Sequence, residues 1–193
     1  MIAANVHGDW PALLPGFAAH VVEAAERAKS LRVDEQMLQM SIIPTRLDDA
    51  DYRDALLERA RVWREGRDQS TIYVFSYGDL VSQYLISTLR NAADASLRSI
   101  GEARAFPKCN ARGEGHCLYV GHSYKIETRL RDHLGFGAAS TSSLHLKHWD
   151  GHPLDDITFT AHRLSTPDKL LAQFLEEYLW DELKPLLGKR GGN

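Results

Sequence analysis

The sequence has very little cysteine, no long apolar run and no large excess of either charge. Cys109 and Cys117 are the only two cysteines in 193 residues, too few for the disulfide framework of a small secreted domain. In a reducing cytosol both stay thiols, and both are expected to be small buried side chains. His116 and His122 lie nearby, but Cys-x7-Cys without a second close pair matches no common zinc site. No segment approaches the roughly 18 to 20 consecutive apolar residues of a membrane span. Met1 to Trp10 also lacks the basic-then-apolar order of a signal peptide. These absences predict a soluble, cytoplasmic protein. Internal repeats and low-complexity tracts are missing too, so one compact catalytic unit with an extension is the default at this length, and 44% hydrophobic residues suffice for a core.

A net charge of -3 argues against a protein that coats nucleic acid by bulk electrostatics. The distribution is more informative. Residues 1–100 carry 11 Lys/Arg against 14 Asp/Glu, whereas residues 101–150 carry 7 against 5, together with His116, His122, His133, His145 and His148.

Helical spacing of apolar residues predicts helices over Trp10 to Lys29, Leu47 to Arg64 and Leu80 to Leu97. The β-branched and aromatic run Thr71-Ile72-Tyr73-Val74-Phe75 predicts a strand. Residues 1–100 thus read as a helical N-terminal extension with one strand, and residues 101–193 as the catalytic core. Within the core, Ala103 to Phe106 and Cys117 to Val120 flank a turn-rich loop and predict a β-hairpin. A helix over Lys125 to Leu134 stopped by Gly135 and Gly137, a strand over Ile157 to His162, and a final helix complete it. That helix has Thr166 as its cap, Pro167 at its first position, Asp168 at its positive end, and an apolar stripe from Leu170 to Leu183. The fold class is α+β, with a small mixed or antiparallel sheet flanked by helices.

The candidate chemistry lies between Tyr119 and His133. A strand ending at Gly121 lets a ligand approach the backbone closely. Arg129 and His133, four residues apart on a helix, share a face. An arginine offers a permanently charged planar fork for phosphate, and a histidine can take or hold a proton near neutral pH. With a strand tyrosine, these are the parts needed to hold and attack a phosphodiester.

Tyr119-Val120-Gly121, followed by Arg129 at ten residues and His133 at fourteen, resembles the second half of the GIY-YIG nuclease signature. In that family a glutamate on a downstream helix holds the metal, with a leucine three and a proline nine residues on; Glu176, Leu179 and Pro185 satisfy those offsets and Glu177 does not. The resemblance implies a catalytic set of Tyr119, His122, Arg129, His133 and Glu176. It also implies one Mg2+ or Mn2+ held by Glu176, and DNA as the partner. His122 stands where relatives often have lysine, so it serves either as a base or as a phosphate contact. Lys125, Arg131 and Lys147 are candidate DNA contacts, and Asn193 corresponds to an asparagine that the family carries beyond the proline. A homodimer is a further possibility, since double-strand cleavage with one site per chain favours two copies. The first tyrosine motif is degraded: Ala103 to Phe106 has no tyrosine, Phe106 offers a ring without a hydroxyl, and Tyr73 imitates the motif 46 residues before Tyr119. The leading expectation is a metal-dependent DNA endonuclease. The alternatives are an inactive DNA- or partner-binding protein on the same fold, and a helical interaction protein.

Overall fold

The computed structural model describes residues 10–64, 69–111, 113–149, 156–165 and 168–191. It is mixed α and β. In chain order the elements are α1 (Trp10–Lys29), β1 (Leu38–Ile42), α2 (Ala50–Arg64), β2 (Thr71–Ser82), α3 (Gln83–Ser99), β3 (Glu114–Ser123), α4 (Ile126–Leu134), β4 (Ile157–Arg163) and α5 (Lys169–Leu183), with short 3-10 turns at Pro44–Arg46 and Leu146–His148. Two compact units result, Met1–Arg32 with α1, and Val33–Asn193 with every other element. Among the described residues no helix is long and apolar enough to cross a membrane.

The second unit is built on a four-stranded antiparallel sheet in the order β1-β4-β2-β3. In β1 the residues alternate buried and exposed from Leu38 to Ile42, the period of a strand with one wet face. β2 lies between β3 and β4 and is buried at Thr71, Ile72, Tyr73 and Phe75. Phe75 and Phe159, directly paired across β2 and β4, are fully buried with ring centroids 5.0 Å apart. Each contributes about 1.5–3 kcal/mol by leaving water. Leu118, Ile126, Leu130 and Leu134 close the core from β3 and α4.

Three expectations are corrected. The division at residue 100 gives way to one at Arg32, because the stretch read as a helical extension with one strand supplies two, β1 as well as the expected strand in β2, half the sheet. The hairpin of Ala103 to Phe106 with Cys117 to Val120 does not form; β3 pairs instead with β2, Tyr73 opposite Gly121 and Phe75 opposite Tyr119. The reason is local. Ala-Arg-Ala is a weak strand former and Pro107 cannot donate to a ladder. Ala105 spends its backbone groups on Ala139 (2.9 Å) and Ser143 (3.1 Å) in the loop after α4. Finally, the cap of α5 is Asp168, whose carboxylate accepts from the amides of Leu170 at 2.9 Å and Leu171 at 3.3 Å. Thr166 and Pro167 lie outside the described residues.

Candidate functional site

β2 and β3 lay two tyrosine rings side by side. Tyr73 and Tyr119 occupy diagonal positions of the ladder, and their rings stack with centroids 6.2 Å apart and planes 16° from parallel. Gly121 faces Tyr73 directly, and a Cβ there would lie 2.5 Å from the Tyr73 hydroxyl oxygen and 3.0 Å from the Tyr119 ring. Only glycine leaves that space. Gly121→Ala should therefore displace Tyr73 or cost about 1–3 kcal/mol through overpacking. A denaturation midpoint equal to that of the unsubstituted protein would refute this close fit.

α4 turns Arg129 and His133 onto the tyrosines from one helical face. Arg129 donates from Nε to the Tyr73 hydroxyl at 3.0 Å, and from its terminal nitrogen to the Tyr119 hydroxyl at 3.2 Å and the Ser142 carbonyl at 2.8 Å. His133 is fully buried, with Nε2 3.1 Å from the Tyr73 hydroxyl and Nδ1 accepting from the Leu144 amide at 3.2 Å. A backbone N–H can only donate, so Nδ1 carries no proton. The proton of the neutral ring is then on Nε2 and points at Tyr73. Burial, then the charge of Arg129, then His145 hold His133 well below the ordinary histidine range and keep it neutral.

The Tyr73 oxygen thus accepts from both Arg129 and His133, and its own proton is left for whatever enters beside it. Burial, followed by neighbouring Tyr119, pushes the Tyr73 pKa above the usual phenol range, so this hydroxyl is a donor at neutral pH and not a base.

A second pair lies on the other elements of the site. His122 Nδ1 is hydrogen-bonded to the Glu176 Oε2 of α5. Against an ionised carboxylate Nδ1 must donate, which leaves Nε2 with its lone pair when the ring is neutral. Glu176 is only 7% exposed, on the buried face of α5 with Leu171 and Ala172. Glu177 is bonded instead to Gln173 and Arg190, away from His122. The apolar stripe expected on α5 is in part solvent-facing, with Phe174 and Tyr178 exposed, because the helix turns Glu176 inward to meet His122.

Tyr73, Tyr119, His122, Arg129 and Glu176 all line one cleft of about 1060 Å³. His133 supports it from behind. Among the described residues the cleft is cationic: Arg90, Lys108, Lys169 and Lys189 join Arg129 on its walls, while Asp132 and Glu176 are its acids. Sequence reasoning missed the added cations. Lys169 had a signal, since it stands seven residues before Glu176 and so on the same helical face. Lys125 and Arg131 instead sit exposed outside the cleft lining, and Lys147 lays its ammonium 4.7 Å over the Phe136 ring. Asn193 lies outside the described residues. Tyr73, not Phe106, takes the position beside Tyr119, and Phe106 sits in irregular chain on the cleft wall. Cys117 is buried, which pushes its thiol up to about 12, and Cys109 is half-buried in an isolated bridge to Leu187.

The neutral histidines set a pH dependence. His145, fully buried beside the Phe106 ring, has its pKa lowered to about 4 by burial and then by Arg104. A histidine depressed in the folded state binds fewer protons there than in the unfolded chain, so stability is complete above the unfolded value and is lost as pH falls toward the folded one. The window runs from about pH 6.5 down to about 4 for His145, and further down for His133. His145 should make stability drop by about 2 kcal/mol between about pH 7 and about pH 5, less whatever water screens, and His133 acts in the same direction. Urea midpoints at the two pH values measure it, and equal midpoints would exclude buried neutral rings.

No protein-family model, curated protein or solved structure matches the chain.

Proposed function

We propose that the protein is a metal-dependent DNA endonuclease of the GIY-YIG type. The observation that carries this reading is Arg129 bound to the hydroxyls of both Tyr73 and Tyr119 in a cationic cleft that also holds Glu176. The tyrosine absent from Ala103 to Phe106 has its counterpart in Tyr73. The long spacing to Tyr119 reflects α3 and the loop after it, inserted between two paired strands.

In this mechanism Arg129 binds the scissile phosphate through its outer edge, while its contacts to the tyrosines fix its plane. Tyr73 donates its free proton to a phosphate oxygen or to the attacking water. His122, held through Nδ1 by Glu176, presents Nε2 to take a proton from that water. The residues fit a magnesium ion. Among the described residues no three His, Cys, Asp or Glu converge, but magnesium keeps several waters and needs only one or two carboxylates besides the substrate phosphate. Glu176 would hold it, and the ion would supply electrostatic stabilisation of the charge that develops on the phosphate and leaving oxygen.

The test is purified protein with supercoiled plasmid in magnesium, in manganese and in chelator. Nicking or linearisation that needs the metal is expected. Plasmid left intact in both metals would overturn the nuclease reading.

A further inference from the structure

The thirty or so residues between the two tyrosine strands do more than connect them. α3 brings Arg90 to the cleft, and the following segment brings Phe106 and Lys108. Phe106 is half-buried on this wall. Its ring has the Arg90 guanidinium 5.7 Å from its centroid and the His145 ring edge-on at 5.1 Å. The core aromatics Phe75 and Phe159 are fully buried, so this ring is placed differently from theirs.

The segment is pinned on both sides of the ring. Ala105 is bonded to Ala139 and Ser143, the Lys108 carbonyl accepts from Gly188 at 2.8 Å, and Asn110 donates to Leu186 at 2.9 Å. A ring held this way loses little freedom on meeting a ligand. Arg90 keeps a buried Nε without a hydrogen-bond partner, while one terminal nitrogen donates to Asn91 at 2.8 Å.

Arginine and lysine on this wall suit phosphates. The Phe106 ring beside Arg90 does not, and calls for something flat and apolar. In paired DNA the base faces are covered by stacking, and only the edges are offered in the grooves. A ring on a cleft wall is usable by a base that has left the stack. We infer that Arg90, Phe106 and Lys108 form a subsite for an unpaired nucleotide, so that the preferred substrate is DNA with a splayed or single-stranded arm beside the cut. This rests on the nuclease reading and narrows its substrate.

The test is fluorescence anisotropy in chelator, with a labelled splayed-arm DNA and a fully paired duplex of matching sequence. The unsubstituted protein should bind the splayed arm about tenfold more tightly or better, the size of one stacked base. Phe106→Leu keeps apolar volume without the ring and should erase the preference; Phe106→Trp should keep it and shows that the wall still folds. Equal binding of both DNAs by the unsubstituted protein, or a preference intact in Phe106→Leu, would overturn the subsite. If metal-dependent plasmid cleavage is seen alongside that result, only the subsite falls; with neither DNA bound nor plasmid cut, the nuclease reading falls with it.

Discussion

Arg129→Ala should lower DNA cleavage about a thousandfold, the scale on which positioned donors to a transferring phosphate act. The guanidinium spends Nε and one terminal nitrogen on Tyr73, Tyr119 and Ser142, and its other terminal nitrogen has only a loose 3.8 Å pairing with Asp132. That last nitrogen is the one a phosphate can claim. Alanine removes it and also unties both tyrosine hydroxyls, so the loss combines charge stabilisation with positioning. Lysine should recover less than about tenfold, because one ammonium cannot span two hydroxyls and a carbonyl as the planar fork does. Single-turnover cleavage of a labelled oligonucleotide separates the two variants. Undiminished cleavage by Arg129→Ala would remove Arg129 from the mechanism and take the proposed role of its tyrosine contacts with it.

What the sequence shows and what it hides follow from how local each feature is. Arg129 and His133 are four apart on a short helix, so their common face is read from spacing, and both do reach Tyr73. The end of α4 is equally local: Gly135 adopts φ 100°, the left-handed cap that glycine favours. Strand pairing is different. Tyr73 meets Gly121 across an inserted helix, and nothing within either strand names its partner. The nearer candidate, Ala103 to Phe106, had proximity but not strand chemistry. The strand Leu38–Ile42 did show its alternation, Leu-Gln-Met-Ser-Ile, yet five residues are a small signal between helices. Most of the added cleft cations were hidden for the same reason as the pairing. Arg90, Lys108 and Lys189 come from three separate stretches of chain and meet only when the sheet closes, whereas Lys169 was legible from its helical spacing to Glu176.

Asp34→Ala should cost the Val33–Asn193 unit about 3 kcal/mol, among the larger single losses expected outside the hydrophobic core. Arg163, at the end of β4, is 3% exposed and is held by Asp34 through Nε at 2.9 Å and a terminal nitrogen at 2.8 Å. The Trp63 carbonyl accepts from it at 2.7 Å, and its guanidinium lies 4.5 Å over the Trp63 ring. Removing the carboxylate leaves a buried cation with carbonyl and ring partners but no counter-charge. Truncating one member of such a pair is worse than replacing the charge itself, because an apolar chain needs no counter-ion. Arg163→Met should therefore cost less than Asp34→Ala, although it removes more contacts. For a unit of this size the aspartate change lowers the thermal midpoint by about 6–12 °C. The reverse order, with Arg163→Met the more damaging, would mean that the guanidinium matters as packing across Trp63 and not as a compensated charge. Because Arg163 pairs with Thr71 at the start of β2, two residues before Tyr73, the same variant should also loosen the strand that carries the first tyrosine. Faster hydrogen exchange at the start of β2 in Asp34→Ala, with α3 unaffected, is the expected signature.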